Sequence, residues 1–110
     1  MKKFVLLLDL KDDPTLIQEY EQHHQNIPEA IKESILEADI IEMNLFRFND
    51  RLVMEIIAED EFSFEKKSQI DQNNLEVQKW ETLMLNYQKL IPNTPEGTKW
   101  VLANQIFSLQ

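Results

Sequence analysis

Asp39-Ile40-Ile41-Glu42-Met43-Asn44-Leu45-Phe46-Arg47-Phe48, then Asn49-Asp50, then Arg51-Leu52-Val53-Met54-Glu55-Ile56-Ile57-Ala58, reads as one hairpin. Both runs are rich in branched and aromatic side chains, the types that pack well on a pleated surface. Asn49-Asp50 supplies a two-residue turn, because Asn and Asp tolerate the positive φ such turns require. An antiparallel pair therefore sits at the centre of the chain.

Upstream, Lys3 to Leu10 is short and almost continuously apolar, as a central strand covered on both faces would be. Asp13 before Pro14 is a helix start, since proline's missing N–H costs nothing at the first position. That helix carries Ile17, Tyr20 and His24 and stops near Pro28. A second helical stretch, Glu29 to Glu37, places Ile31 and Ile35 on one face. Downstream, Phe62-Ser63-Phe64-Glu65-Lys66-Lys67 reads as a short helix closing over an edge. Asn73 with Glu76 reads as a reciprocal cap for a longer one. Along it Val77, Trp80, Leu83, Met84 and Tyr87 recur at three and four, a buried stripe. After a Pro- and Gly-containing loop over 92–97, Trp100 to Leu109 reads as a final strand.

The order is β-α-β-β-α-β. Right-handed crossovers around a central hairpin predict an α+β, ferredoxin-like fold: a four-stranded antiparallel sheet with helices on one face. The other face is left for a second copy, so a homodimer is expected.

The chain of 110 residues is 43% hydrophobic and fits one domain, 1–110. Its net charge of -9 repels phosphate backbones and anionic membrane surfaces, so neither nucleic acid nor membrane is an expected partner. Lys2-Lys3 before Phe4-Val5-Leu6-Leu7-Leu8 briefly resembles a signal peptide, but Asp9, Lys11, Asp12 and Asp13 interrupt it. A cytoplasmic protein is expected. With no cysteine and one glycine, thiolate chemistry and glycine-rich phosphate loops fall away. Adjacent His23 and His24 point apart by about 100° on a helix, so no metal is expected between them.

Glu19-Tyr20-Glu21-Gln22-His23-His24-Gln25-Asn26 concentrates what chemistry remains. Tyr20 and His24, four apart, share a helix face, and histidine exchanges protons near neutral pH. With Trp80, Glu81 and possible contributions from Glu42 or Arg47, the set suits a sugar: aromatic faces stack on its apolar side while polar groups hold its hydroxyls. The plainer reading makes Tyr20 a helix residue with a satisfied hydroxyl, His24 a solvated surface group, and Trp80 a core residue. Glu42, Arg47 and Glu81 would then be weakly paired surface charges.

Tyr20-x-x-His23-His24, Ile41-Glu42-Met43 leading into Phe46-Arg47, Asn49-Asp50-Arg51-Leu52, Phe62-x-Phe64-Glu65-Lys66-Lys67, Val77-Gln78-Lys79-Trp80-Glu81, Leu83-Met84 and Glu96-Gly97-x-Lys99-Trp100-Val101-Leu102 ending at Ile106-Phe107 together resemble the L-rhamnose mutarotase family. The closer likeness is to its L-fucose mutarotase branch. The resemblance implies a dimeric α/β barrel and an isomerase that interconverts the anomers of a 6-deoxy monosaccharide without a cofactor. It implies that His24 is the proton donor and that Tyr20, Met43, Trp80 and Glu81 contact the sugar. Met43 and Glu81 stand where rhamnose-type members carry a tyrosine and a second tryptophan. Where the family reads Trp-Pro-Glu, this chain has Pro28-Glu29-Ala30, and Asp39 stands near the family's usual glycine.

Mutarotation needs an acid for the ring oxygen and a base for the anomeric hydroxyl. His24 suits the first, with Tyr20 orienting it or the sugar. Glu42, Glu81 and water are candidates for the second. The alternatives are a non-catalytic sugar-binding or regulatory dimer, and a different cofactor-free reaction in a look-alike fold.

Overall fold

The computed structural model describes all 110 residues. Strand β1 (Lys2–Leu10) leads into helix α1 (Pro14–Gln25), α2 (Glu29–Glu37), strands β2 (Ile40–Phe48) and β3 (Arg51–Ala58), helices α3 (Phe64–Gln72) and α4 (Leu75–Leu85), and two short strands, β4 (Gln88–Lys89) and β5 (Val101–Leu102). The sheet runs β2-β3-β1-β4, with β5 also on β1. All pairings are antiparallel. This is the ferredoxin-like order with its outer strand in two pieces.

Long ladders fix the register. β1 meets β3 from Lys2 opposite Ala58 to Asp9 opposite Arg51. The last rung carries a two-pronged ion pair, Arg51 Nε to Asp9 Oδ1 at 2.7 Å and Nη2 to Oδ2 at 3.2 Å. Alternation then sends Leu6, Leu8 and Leu10, with Leu52, Ile56 and Ala58, to the helix-covered side, where all are buried. Each fully buried leucine contributes roughly 1.5–3 kcal/mol relative to exposure. Val5 and Leu7 on the opposite side are only half-buried, so β1 is covered on one face of the single chain, not on both.

Two apolar clusters form the core. One gathers Leu6, Ala38, Ile40, Ile56, Ala58 and Phe62; the other gathers Leu10, Tyr20, Leu52, Met84 and Tyr87. Trp100 packs against both and joins them.

Local chemistry explains the helix ends. The Asp13 carboxylate accepts from the N–H groups of Thr15 and Leu16 at 2.9 and 3.2 Å, capping α1 with Pro14 at its first position. Ser63 caps α3, which extends to Gln72, beyond the short helix expected at 62–67. The cap of α4 is Asn74, not Asn73. Its side chain accepts from Glu76 and Val77 N–H, whereas Asn73 ends α3. Glu76 therefore sits one position too early to return the bond.

Asp39, standing for the expected glycine, takes φ +68°, a left-handed conformation that Asp tolerates better than most residues. Its carboxylate accepts from Lys66 Nζ at 2.6 Å, tying this turn to α3. In the hairpin turn only Asn49 takes a positive φ, +53°.

The final strand is much shorter than Trp100–Leu109. β5 pairs only Val101 and Leu102 with β1, and after the Ala103 N–H bond to Val5 the chain leaves the sheet. Ile106, Phe107 and Leu109 are consequently 96%, 74% and 89% exposed. These apolar side chains have no strand edge to receive them within one chain.

Candidate active site

The pitch of α1 stacks His24 one turn beyond Tyr20. Tyr20 is 2% exposed and belongs to the core, with its ring centroid 4.4 Å from that of His24 at an interplanar angle of 34°. His24 Nδ1 lies 2.8 Å from the Tyr20 backbone carbonyl oxygen. A carbonyl only accepts, so Nδ1 carries the proton and Nε2 is left free for a ligand. Burial pushes the His24 pKa below its ordinary value, while the Tyr20 carbonyl opposes the shift and His23 adds to it. Tyr20 thus acts on His24 from behind, leaving little of its own surface to solvent.

Helix α4 brings Trp80 up to this pair. Its indole meets His24 at 5.4 Å and 68° and His23 at 6.4 Å and 86°, both edge-to-face. Half-buried, it also packs on the cluster containing Tyr20 and Met84, so it is at once part of the core's edge and a neighbour of both histidines.

His23, on the same indole, is held by a different partner. Its Nε2 lies 3.2 Å from Tyr87 Oη, and the Tyr87 hydroxyl donates to Glu19 Oε1 at 3.1 Å. Having given its single proton to the carboxylate, Tyr87 accepts from His23 Nε2–H. Nδ1 of His23 is then the free nitrogen. Burial, followed by the neighbouring Glu19, pushes the Tyr87 phenol up. Sequence reading placed Tyr87 in an apolar stripe and gave His23 no role. The one available signal was the four-residue spacing of Glu19 and His23.

The other expected site residues divide. Met43 points to the helix-covered side and packs on the first core cluster, next to which Trp100 also sits. Glu81 is half-buried on α4 and makes no hydrogen bond or ion pair within the chain. The half-buried Lys99 feels it: burial lowers the Lys99 pKa, Glu81 raises it, and Lys67 lowers it. Glu42 is not brought to the site. An irregularity between Ile40 and Glu42 and the alternation beyond it put its carboxylate on the open face of the sheet. There it is exposed and accepts from the Asn44 side chain at 3.2 Å, with the sheet between it and His24. Arg47 pairs with Glu21 of α1 through Nε at 3.1 Å and donates to the Asn49 carbonyl at 2.7 Å, bracing the hairpin.

An open groove of about 720 Å³ lies elsewhere, between α1 and the hairpin tip, lined by Ile17, Glu21, Arg47 and Asp50 among others. It contains none of the aromatic residues around His24. No three His, Cys, Asp or Glu side chains converge to hold a metal ion.

Known proteins match this chain over its whole length. The family model for L-rhamnose mutarotase matches residues 3–109. The L-fucose mutarotase of Xanthomonas campestris pv. campestris is 37% identical over 112 residues, covering 99% of this chain and 89% of that protein. An L-rhamnose mutarotase of Formosa agariphila superposes with a TM-score of 0.73 at 16% identity, both chains covered entirely. Tetracenomycin F2 cyclase of Streptomyces glaucescens, a type-II polyketide cyclase, gives 0.64 at 19% identity, covering 100% of this chain and 98% of that one. The last two show a shared fold. The cyclase shows that the architecture also carries unrelated chemistry.

Proposed function

Because this chain belongs to the L-rhamnose mutarotase family, we propose that it interconverts the α and β anomers of a 6-deoxy sugar, with L-fucose preferred over L-rhamnose. The observation that carries the chemistry is His24, held by Tyr20 with Nε2 free beside Trp80. Likeness to the Xanthomonas L-fucose mutarotase supports the sugar preference. So do Met43 and Glu81, which stand where rhamnose-type members carry larger aromatic side chains.

In this reading the sugar's apolar face lies on Trp80 and Glu81 accepts from its hydroxyls. Met43 closes the sheet side. His24 in its doubly protonated form gives the Nε2 proton to the ring oxygen as the bond from that oxygen to the anomeric carbon breaks, leaving the free aldehyde. Reclosure on the other face of the carbonyl gives the second anomer. Tyr20 is a positioning residue that fixes the imidazole's tautomer and angle.

The reading includes a homodimer in the cytoplasm. The sheet's open face presents Val5, Leu7, Val53 and Ile57 with Phe46 and Phe48, which are 56% and 77% exposed. These side chains, with the exposed Ile106, Phe107 and Leu109 of the tail, are apolar surface that a second copy would cover. No helix is long and apolar enough to cross a membrane.

Anomer exchange measured by NMR saturation transfer on the two sugars under identical conditions tests the preference. The account expects faster exchange with L-fucose. Faster exchange with L-rhamnose would reverse it.

A further inference from the structure

We propose that His23 is the second proton-transfer group of the sugar site, the base that His24 works against. The inference rests on the mutarotase reading and supplies a group that reading leaves unassigned.

Three observations carry it. The adjacent histidines hold opposite tautomers: His24 is bound through Nδ1 to the Tyr20 carbonyl, and His23 through Nε2 to Tyr87 Oη. Each therefore keeps one free ring nitrogen. Both rings also meet the same indole, Trp80, although adjacent helical positions diverge. Finally, His23 is backed by a chain of two hydrogen bonds ending on the exposed carboxylate of Glu19. Glu42, by contrast, lies across the sheet.

That chain suits a group that must accept a proton. When Nδ1 of His23 takes one, the ring becomes an imidazolium and its Nε2–H bond to Tyr87 becomes charge-assisted. Tyr87 passes the polarisation on to the Glu19 carboxylate, so the new positive charge faces a fixed negative one through two short links. The logic is that of a carboxylate supporting a catalytic histidine, with a phenol in between.

The step balances. The anomeric O–H proton goes to His23 Nδ1, and the electron pair it leaves forms the carbonyl. The pair of the breaking ring C–O bond goes to the ring oxygen, which takes the Nε2 proton of the His24 imidazolium and leaves that ring neutral, protonated on Nδ1. Reclosure runs these transfers in reverse on the other face of the aldehyde, returning each proton to its donor. No outside acid, base or oxidant is consumed.

The test compares wild type, His23→Ala and Tyr87→Phe on L-fucose, full-length, with anomer exchange read at several sugar concentrations. General base catalysis of this kind is worth on the order of 10²-fold or more, so kcat should fall by about that factor in His23→Ala with KM little changed. Added imidazole should restore part of it. Tyr87→Phe, which keeps the ring and loses the link, should lose kcat by several-fold. A His23→Ala variant that keeps wild-type kcat, loses only KM, or gains nothing from imidazole overturns the inference. Should that variant fail to fold, Tyr87→Phe decides alone: unchanged kcat overturns the proposal. Absence of exchange in wild type would instead overturn the mutarotase reading, and this inference with it.

Discussion

His24 donates from Nδ1 to the backbone carbonyl oxygen of Tyr20 at 2.8 Å, one helical turn behind it. This bond leaves Nε2 as the free nitrogen, the one proposed to meet the sugar, and it acts on a ring whose surroundings already resist positive charge. With His24 as the acid, the active form carries the extra proton, so kcat/KM for L-fucose falls as pH rises through the His24 pKa. Burial places that pKa below 6.5, and the descending limb should be centred there. A descending limb centred above pH 7 would contradict the assignment.

The same burial links pH to folding. Well above pH 6.5 His24 is neutral folded and unfolded. As pH falls below that value the unfolded chain takes up the proton first, so stability is lost as pH drops towards the lower folded pKa. Urea midpoints at pH 7.5 and pH 5 should therefore differ more for wild type than for His24→Gln. Equal differences would show that the ring is as easily protonated folded as unfolded.

Glu42 lies on the far side of the sheet from His24. Glu42→Gln should leave kcat and KM within about twofold of wild type, the ordinary consequence of a surface change away from the chemistry. A tenfold loss of kcat would restore Glu42 as the second acid/base.

Phe48, 77% exposed, stands on the open sheet face proposed to meet a second copy. Phe48→Lys would bury an unpaired charge there, an expensive outcome for an interface. Sedimentation should show dimer for wild type at micromolar concentration and a shift to monomer for the variant. Wild-type monomer at that concentration would contradict the dimer.

The hairpin was legible because two strand-like runs flank a turn whose residue types permit its geometry. Asp13-Pro14 likewise announced its helix. What escaped depends on contacts distant in sequence. β4 is two residues long, and Gln88 and Lys89 become a strand only because Asp9 and Leu10 offer them an edge. The tail beyond Ala103 carries Ile106, Phe107 and Leu109, side chains a strand would use, and has no edge to join. Adjacent Asn73 and Asn74 are chemically identical, so only the chain's path shows which one caps α4.

In the site, the four-residue spacing of Tyr20 and His24 was readable, as was the aromatic character of Trp80. The bond between His23 and Tyr87 spans 64 residues and was not readable. Nor was the displacement of Glu42, because an irregularity at the start of β2 changes which residues face the helices.

The central claim is that His24 catalyses anomer exchange. NMR saturation transfer between the two anomeric proton signals of L-fucose, with wild type and His24→Ala side by side, tests it most directly. The account predicts exchange accelerated by wild type, with about 10²-fold or more lost in a folded His24→Ala variant. Saturable L-fucose binding with no acceleration by wild type, or full acceleration by His24→Ala, would contradict it.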